Sequence, residues 1–248
     1  MTVATTDAAR NFKGTSTEGR TPAELRDLVS HAGAELELAP AEVIIEWAVA
    51  TFGDRFCITS SMADAVLAHL ASQVAPGIDV LFLDTGYHFA ETLGTRDAVE
   101  ATLPVNVRTI HPKQSVAEQD ASYGKDLFAR DPDLCCALRK VAPLNEALQG
   151  YDAWATGLRR QETADRVITP VIGWDEKRQK VRVSPLARWS HDDVDRYIAE
   201  NGVLVNPLQS DGYPSIGCWP CTRRVAPGDD PRSGRWAGTN KTECGINS

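Results

Sequence analysis

Apolar runs alternate with amphipathic stretches through the middle of the chain. Four short runs have the length of buried strands, at residues 55–59, 79–83, 105–110 and 153–156. Three longer stretches between them have the period of helices, at residues 62–74, 89–103 and 135–148. Strand and helix repeated in this order predict an α/β fold, in which helices cover both faces of a parallel sheet.

The pattern before the first strand predicts two helices. Residues 1–20 are polar, and we expect them to form a disordered N-terminal tail. Thr21-Pro22-Ala23-Glu24 has the form of a capping box with proline at the first helical position, so a helix should begin there. A second helix is expected at residues 40–50, ending near Gly53.

The alternation weakens after Gly157. A strand at residues 180–183 and a helix over 190–200 are still predicted, and Gly202 should end that helix. We expect residues 21–227 to form a single α/β domain. Residues 228–248 are rich in glycine and polar side chains and should form an irregular, flexible C-terminal tail.

Composition places the chain among ordinary globular proteins, with 248 residues, 42% hydrophobic and 24% charged. The net charge of −8 argues against a nucleic-acid partner, because such binding depends on basic surfaces. No apolar run is long enough to span a membrane, and the opening stretch does not resemble a secretory signal. We therefore expect a cytoplasmic, reducing location. A homo-oligomer is compatible with the sequence.

Four of the six cysteines form two pairs, Cys135-Cys136 and Cys218-x-x-Cys221. In a reducing compartment, paired cysteines bind metal more often than they form disulfides. Four thiolates suit a zinc ion or a [4Fe–4S] cluster, and adjacent cysteines that diverge in direction favour the larger cluster. The alternative is that these cysteines are small core residues, which is the interpretation we give Cys57.

Cys244 stands alone in a polar segment, followed by Gly245. Thiolates are the nucleophilic form of cysteine, and nearby cations increase their population. An isolated cysteine near a terminus can equally be without function. Cys244 becomes a candidate nucleophile only if an electrophilic anion binds beside it.

Several segments could bind such an anion. Ser60 and Ser61 lie between a strand and a helix, where free backbone N–H groups and hydroxyls can bind an anion, or where a serine simply caps the helix. Leu83 ends the next strand, at the edge where open α/β sheets bind ligands. Cations that could hold phosphate or sulfate oxygens, unless they are ordinary surface charges, are Lys140, Arg159, Arg160, Arg166, Arg232 and Arg235.

From about residue 50 to the C-terminus, the sequence resembles the assimilatory adenylyl-sulfate (APS) reductases of the PAPS/APS reductase family. Seven motifs in the family's order carry the resemblance: Ser60-Ser61-Met62-Ala63-Asp64, Leu83-Asp84-Thr85-Gly86-Tyr87-His88, Cys135-Cys136-Ala137-Leu138-Arg139-Lys140, Gly157-Leu158-Arg159-Arg160, Cys218-Trp219-Pro220-Cys221, Gly234-Arg235-Trp236 and Glu243-Cys244-Gly245. The chain departs from the family at Asn247, where a histidine is usual.

The resemblance implies an adenine nucleotide alpha-hydrolase fold and the reduction of adenosine 5′-phosphosulfate to sulfite and AMP by thioredoxin. It implies a [4Fe–4S] cluster on the two cysteine pairs and an S-sulfocysteine formed on Cys244. It also implies that substrate binds near Ser60, Ser61, Leu83, Gly157 and the cations named above. Reductases of phosphoadenylyl sulfate (PAPS) share the fold but usually lack both pairs. Three alternatives remain: a PAPS reductase, an ATP-dependent adenylating or tRNA-thiolating enzyme of the same fold, and a non-enzymatic zinc or iron–sulfur protein.

Overall fold

The structure is a computed structural model that describes residues 19–239, 241 and 243–246. Except for Gly19 and Arg20, the N-terminal segment for which disorder is predicted lies outside the described residues. Asn247 also lies outside them.

One sheet of six strands forms the centre of the fold, in the spatial order β3-β2-β1-β4-β6-β5. The strands are β1 (Phe56–Thr59), β2 (Asp79–Leu83), β3 (Asn106–Ile110), β4 (Ala153–Ala155), β5 (Ile172–Asp175) and β6 (Lys180–Val183). All neighbouring strands are parallel except β5, which pairs antiparallel with β6 at one edge. The carboxyl ends of the five parallel strands therefore meet at one edge of the sheet.

Helices precede the sheet and connect its strands. They are α1 (Pro22–Glu35), α2 (Ala41–Phe52), α3 (Val66–Val74), α4 (Ala90–Thr102), α5 (Val116–Tyr123), α6 (Leu127–Arg130), α7 (Pro132–Cys136), α8 (Ala142–Ala147) and α9 (His191–Asn201). A π-helical turn, Ala137–Val141, joins α7 to α8, so the chain stays helical from Pro132 to Ala147.

Two apolar cores lie on opposite faces of the sheet, because successive strand side chains point to opposite sides. Phe56 and Ile58 of β1 belong to the larger core, which α1, α2 and α3 cover. Cys57 belongs to the smaller core, together with Trp154 of β4 and Leu144 of α8. Helices thus cover both faces, and the predicted α/β fold class is confirmed.

The predicted strands and most predicted helices are present within one or two residues. The helix expected from Met62 begins four residues later, at Val66, because Met62 has a left-handed backbone (φ 58°) and stays in the preceding loop. Strand β5 and helices α5 and α6 were not predicted. The helix expected from Cys135 begins at Pro132, where the Asp131 carboxylate accepts a hydrogen bond from Leu134 N.

In the described part of the chain, no helix combines the length and the apolar character that crossing a bilayer requires.

Candidate active site

The two cysteine pairs line the same small pocket. Cys135 and Cys136 enter it from the end of α7, and Cys218 and Cys221 enter it from a 3₁₀ turn at Trp219–Cys221. The pocket's other lining residues are mainly aromatic and cationic: Tyr87, Phe128, Pro132, Arg139, Lys140 and Trp236. Adjacent cysteines on one helix can therefore both face this pocket, although they are next to each other in sequence.

The turn after β2 holds the second cysteine pair in place. Trp219 N donates to the Tyr87 carbonyl at 2.8 Å, and the Thr85 hydroxyl lies 3.2 Å from Cys218 Sγ. Arg139 is buried and fixes this turn from below, since its Nε donates to the Thr85 carbonyl and its guanidinium stacks on the Tyr87 ring. Neither Thr85 nor Arg139 was predicted to have a role, although both lie within the family's motifs.

Crowded thiols and burial set the electrostatics of the pocket. Burial, followed by the neighbouring Cys218 and Cys221, raises the pKa of Cys135 to about 11. Burial alone would lower the pKa of Lys140, but the thiols of Cys218, Cys244 and Cys136 raise it overall. Lys140 therefore stays charged beside the cysteines. Within the described residues, no three His, Cys, Asp or Glu side chains converge closely enough to hold a metal ion.

The C-terminal tail folds back over this pocket. Trp236 N donates to the Cys221 carbonyl at 2.9 Å, and Arg235 pairs with Thr222 in an isolated antiparallel bridge. Arg235 is held by Ser215 Oγ and the Ile216 carbonyl, both at 3.2 Å from Nη1. Gly234 lies against the backbone of Arg223, and a Cβ at position 234 would come within 2.2 Å of the Arg223 carbonyl oxygen. This close approach explains why the Gly-Arg-Trp motif begins with a glycine.

Cys244 lies beside the pocket, on the side of Cys136. A hydrogen bond from the Cys136 thiol lowers the pKa of Cys244 below its usual value, burial opposes this shift, and Lys140 supports it. The Ile246 N–H and Lys241 lower the pKa of Cys244 further. Lys241 is held in turn by Asp133 of α7. These contacts keep the only tail cysteine in a cationic surrounding that favours its thiolate.

Glu243, the neighbour of Cys244, contacts two of the predicted substrate-binding arginines. Its Oε2 lies 2.8 Å from Arg166 Nη2 and 3.3 Å from Arg232 Nη2. Arg166 also pairs with Glu162 at 2.5 Å, and Glu162 pairs with Arg159. Neither glutamate was predicted to have a role, although Glu243 stands in the motif that contains Cys244.

Strands β1 and β4 are neighbours, so the loop after β1 and the end of β4 lie side by side at the carboxyl edge of the sheet, where a ligand crevice is expected. The strand order reverses between β1 and β4, and such switch points are where open α/β sheets bind ligands. Ser60 and Ser61 follow β1, and Gly157 follows β4. The Ser60 hydroxyl accepts from Met62 N at 3.1 Å, which holds the loop in its tight turn.

Other predicted substrate-binding residues lie around this edge to different extents. Leu83 packs against the smaller core, as Ile246 of the tail also does. Arg159 contributes to the field at half-buried Asp64, so it lies near the Ser60 loop. Arg160 points elsewhere, since it pairs with Glu37 at 2.7 Å and donates to the Thr169 carbonyl. Its predicted role in substrate binding stays a prediction without a supporting contact.

The site and fold have counterparts among known proteins. The sequence model of the phosphoadenosine phosphosulfate reductase domain matches residues 56–224. The chain belongs to this family. Adenosine 5′-phosphosulfate reductase of Streptomyces coelicolor is 66% identical over 229 residues, which cover 92% of this chain and 97% of that relative. The reductase of the same name from Mycolicibacterium smegmatis is 56% identical over 232 residues, covering 94% and 97%.

A solved member of the same reductase family shows the same architecture. The phosphoadenylyl-sulfate (PAPS) reductase from Candida auris, in a phosphate complex, has a TM-score of 0.67 and 27% identity. The match covers 86% of this chain and 100% of that one. The resemblance drawn from the seven motifs and the nucleotide alpha-hydrolase fold are thereby confirmed. The matched segment 56–224 contains both cysteine pairs and the Ser60 loop and ends before the tail.

Proposed function

We propose that the chain reduces adenosine 5′-phosphosulfate to sulfite and AMP in sulfate assimilation, with Cys244 as the nucleophile and thioredoxin as the electron donor. The observation that carries this proposal is the position of Cys244, on a docked tail beside Lys140 and next to the cysteine pocket. Relatives with the name adenosine 5′-phosphosulfate reductase, at 51% to 66% identity, support the choice of substrate.

We further propose that Cys135, Cys136, Cys218 and Cys221 hold a [4Fe–4S] cluster. Four thiols line one pocket, and such a cluster takes one thiol for each iron atom, so its ligands need not converge on a single metal ion. Lys140 and Arg139 also line the pocket and would balance the cluster's negative charge. When bound, the cluster would shape the electrostatic field near Lys140.

The hydrogen bond between Cys136 and Cys244 belongs to the chain without a cluster. A Cys136 thiolate bound to iron would have no proton to donate to Cys244. The lowered pKa of Cys244 would then depend on Lys140, the Ile246 N–H and Lys241, which are the remaining favourable contributions. The cationic surrounding, rather than a neighbouring thiol, would therefore keep Cys244 ionised during turnover.

The cations around Cys244 suit the charges of the reaction. The substrate carries a sulfate bridged to a phosphate, and its sulfur can be attacked once the surrounding oxygens are neutralised. Lys140 and Arg235 lie near Cys244, and Arg232 reaches the neighbouring Glu243. We assign these three cations to the sulfate and phosphate oxygens, where they stabilise the negative charge that develops on the departing phosphate.

The reaction then proceeds in three displacements. The Cys244 thiolate forms a bond to the substrate sulfur, the sulfur–oxygen bond breaks, and its electron pair leaves with AMP. A thioredoxin thiolate next attacks Cys244 Sγ and releases sulfite from the S-sulfocysteine. The second thioredoxin cysteine attacks the mixed disulfide, which returns the Cys244 thiolate and leaves oxidised thioredoxin. Two electrons thus pass from the dithiol to the sulfuryl sulfur, which is released as sulfite.

The adenosine is assigned to the crevice between the Ser60 loop and the end of β4. Ser60 and Ser61 would bind phosphate oxygens, and the Leu83 and Gly157 backbones would flank the nucleoside. This assignment rests on the position of the crevice at the switch point of the sheet and on the family's motifs.

PAPS reduction is the second candidate, because the solved relative from Candida auris is a PAPS reductase. The deciding experiment measures sulfite formation from each substrate, with thioredoxin, on protein whose iron content is known. We expect turnover of APS and little turnover of PAPS. Preference for PAPS would replace the proposal with this alternative, and failure on both substrates would refute it.

Cys244→Ser tests the nucleophile directly. The variant should release no sulfite and form no covalent sulfo-adduct, because an alcohol at neutral pH is a far weaker nucleophile than a thiolate. It should still bind AMP as the unaltered protein does. Mass spectrometry of protein mixed with APS, without thioredoxin, should detect the adduct on the unaltered protein alone. Normal sulfite release by the serine variant would contradict the assignment.

A further inference from the structure

Glu243 connects the C-terminal tail to the domain through a pair of guanidinium groups. Its carboxylate is 23% exposed, and the side chains of Arg166 and Arg232 are 12% and 16% exposed. The contacts of 2.8 Å and 3.3 Å are therefore partly shielded from water, which strengthens charge-assisted hydrogen bonds. This pairing differs from an exposed surface ion pair, which contributes little.

Arg166 also has a carboxylate partner on the domain itself. Its Nη1 pairs with Glu162, whose carboxylate also accepts from Arg159 N at 3.0 Å. Its Nη2 pairs with Glu243. Both terminal nitrogens of Arg166 thus contact carboxylates in the docked state. Burial would lower the pKa of Arg166, but its bonds to these glutamates raise it, so the guanidinium stays charged.

The consequence for Cys244 follows from chain geometry. Consecutive Cα atoms are about 3.8 Å apart, so fixing Glu243 leaves the next residue little freedom. Lys241, two residues before Glu243, docks on Asp133. On the other side of Cys244, Ile246 packs against the smaller core. Cys244 is thereby held between anchored neighbours, at the pocket and near Lys140.

We propose that Glu243 is a positioning residue for the nucleophile, and that its carboxylate docks the tail by bridging Arg166 and Arg232. The inference rests on the proposed function, in which Cys244 attacks the substrate. It gives Arg166 a task beyond the predicted contact with substrate, since this arginine anchors the tail. Glu243 itself touches no reacting atom.

Proteolysis tests the docking without any turnover. Trypsin cleavage after Lys241 requires the tail to leave the domain, and the rate of appearance of the 242–248 peptide can be followed by mass spectrometry. We expect Glu243→Ala to accelerate this cleavage about tenfold, the change in equilibrium that follows from losing a charge-assisted hydrogen bond. The cleavage rate of Glu243→Gln should lie between those of the unaltered protein and Glu243→Ala, because the amide oxygen can still accept a hydrogen bond from an arginine.

The control removes a glutamate that pairs with an arginine elsewhere. Glu176 contacts Arg26 at 2.9 Å on the exposed surface beside α1. Glu176→Gln should leave the cleavage rate unchanged. Arg166→Ala should accelerate cleavage less than Glu243→Ala does, because the contact between Arg232 and Glu243 remains. The double variant should be cleaved no faster than Glu243→Ala, since that change has already removed the contact with Arg166.

Kinetics separate a positioning role from a merely structural one. Glu243→Ala should lower kcat for APS about tenfold or more while KM changes less than about threefold, because substrate still binds but the nucleophile is seldom in place. If trypsin cleaved Glu243→Ala no faster than Glu176→Gln, the inference would be overturned. A lower KM with unchanged kcat would also overturn it, because it would mean that the carboxylate competes with the substrate anion. If the unaltered protein reduces no APS, the proposed function fails, and proteolysis alone decides the docking.

Discussion

Gly234 illustrates how one residue controls the fit of the tail. Any Cβ at this position would meet the Arg223 carbonyl oxygen at 2.2 Å, and backbone cannot yield as a side chain can. Arg235 and Trp236, which follow it, contact the segment that carries the second cysteine pair. A shift at Gly234 therefore moves both the tail and one side of the cysteine pocket.

We predict that Gly234→Ala destabilises the protein by about 1–3 kcal/mol, as overpacking does, and lowers catalytic efficiency. Gly94→Ala is the matched control, because Gly94 lies in α4 and nothing stands within 4 Å of an added Cβ. That control should be stabilised by about 0.5–1 kcal/mol. Denaturant unfolding of the two variants measures both effects. A Gly234→Ala protein as stable as the control would show that the close contact is absent in solution.

His88 gives the protein a pH dependence of stability. Its Nε2 lies 2.8 Å from the Leu83 carbonyl, and burial lowers its pKa below the ordinary 6.5, opposed by that hydrogen bond. Lys140 and Arg96 lower the pKa further, while Asp84 raises it. The unfolded chain therefore binds a proton at a higher pH than the folded chain. This contribution to stability is present above pH 6.5 and is lost as pH falls through the folded value.

The matching prediction concerns His88→Gln, whose side chain can still donate to the Leu83 carbonyl but does not titrate. From about pH 7.5 to about pH 5.5, the Tm of this variant should fall less than that of the unaltered protein. Thermal unfolding at several pH values measures the difference. Equal losses of Tm in both proteins would mean that His88 does not carry this dependence.

At the scale of elements, the loop between β1 and α3 depends on a residue far along the chain. Asn206 is fully buried, and its amide donates to the Met62 carbonyl at 3.0 Å and to Thr92 Oγ1 at 3.1 Å. Its side-chain oxygen accepts from Leu208 N at 3.1 Å. These bonds stabilise the left-handed Met62 and hence the position of Ser60 and Ser61.

Asn206→Ala should destabilise the protein by about 2–4 kcal/mol, because three buried hydrogen bonds are lost. It should also raise KM for the nucleotide, since the Ser60 loop becomes less ordered. Asn201→Ala is the control, because its amide donates to the Tyr197 carbonyl at an exposed helix end. That change should stay within about 0.5 kcal/mol. Equal unfolding midpoints for the two variants would show that the hydrogen bonds of Asn206 do not stabilise the loop.

The helical segment from Pro132 to Ala147 is the second element on which the site depends. Its π turn follows the cysteine pair immediately and contains Arg139 and Lys140. A π turn widens the helix by one residue, so it changes the direction of the side chains after it relative to a regular α-helix. It leaves Arg139 under the Thr85 turn and Lys140 at the pocket.

At the scale of the whole molecule, an acidic protein carries a cationic site. The net charge is −8, yet the tail and pocket bring Lys140, Arg166, Arg232, Arg235 and Lys241 together around Cys244 and Glu243. Local charge therefore dominates the field at the site, while total charge describes only the surface.

Cluster loading should stabilise the whole fold, because the pocket joins α7, the β2 turn and the C-terminal region. Protein purified without oxygen should contain iron and acid-labile sulfide, and its Tm should exceed that of protein stripped of iron. Cys218→Ala should lose the iron and the visible absorbance. Cys57→Ala, in the smaller core, should keep both. Iron retained by Cys218→Ala would refute the ligand assignment.

The sequence alone determined the five parallel strands and most helices, because these depend on local periodicity and capping. Thr21 and Ser190, for instance, cap the helices that were predicted from them. The sequence also indicated the family, because its seven motifs stand in the order that the family has. The edge strand β5 was not predicted. It pairs antiparallel with β6, so the alternation of strand and helix that indicates parallel strands is absent there.

Only the tertiary structure decided how the tail meets the domain. The pairing of Glu243 with Arg166 and Arg232, and the role of Asn206 under the Ser60 loop, join residues that are distant in sequence. The tertiary structure also shows that the adjacent residues Arg159 and Arg160 have different partners. The physical reason is that local propensity fixes elements, whereas the contacts of charged side chains depend on the packing of the complete chain.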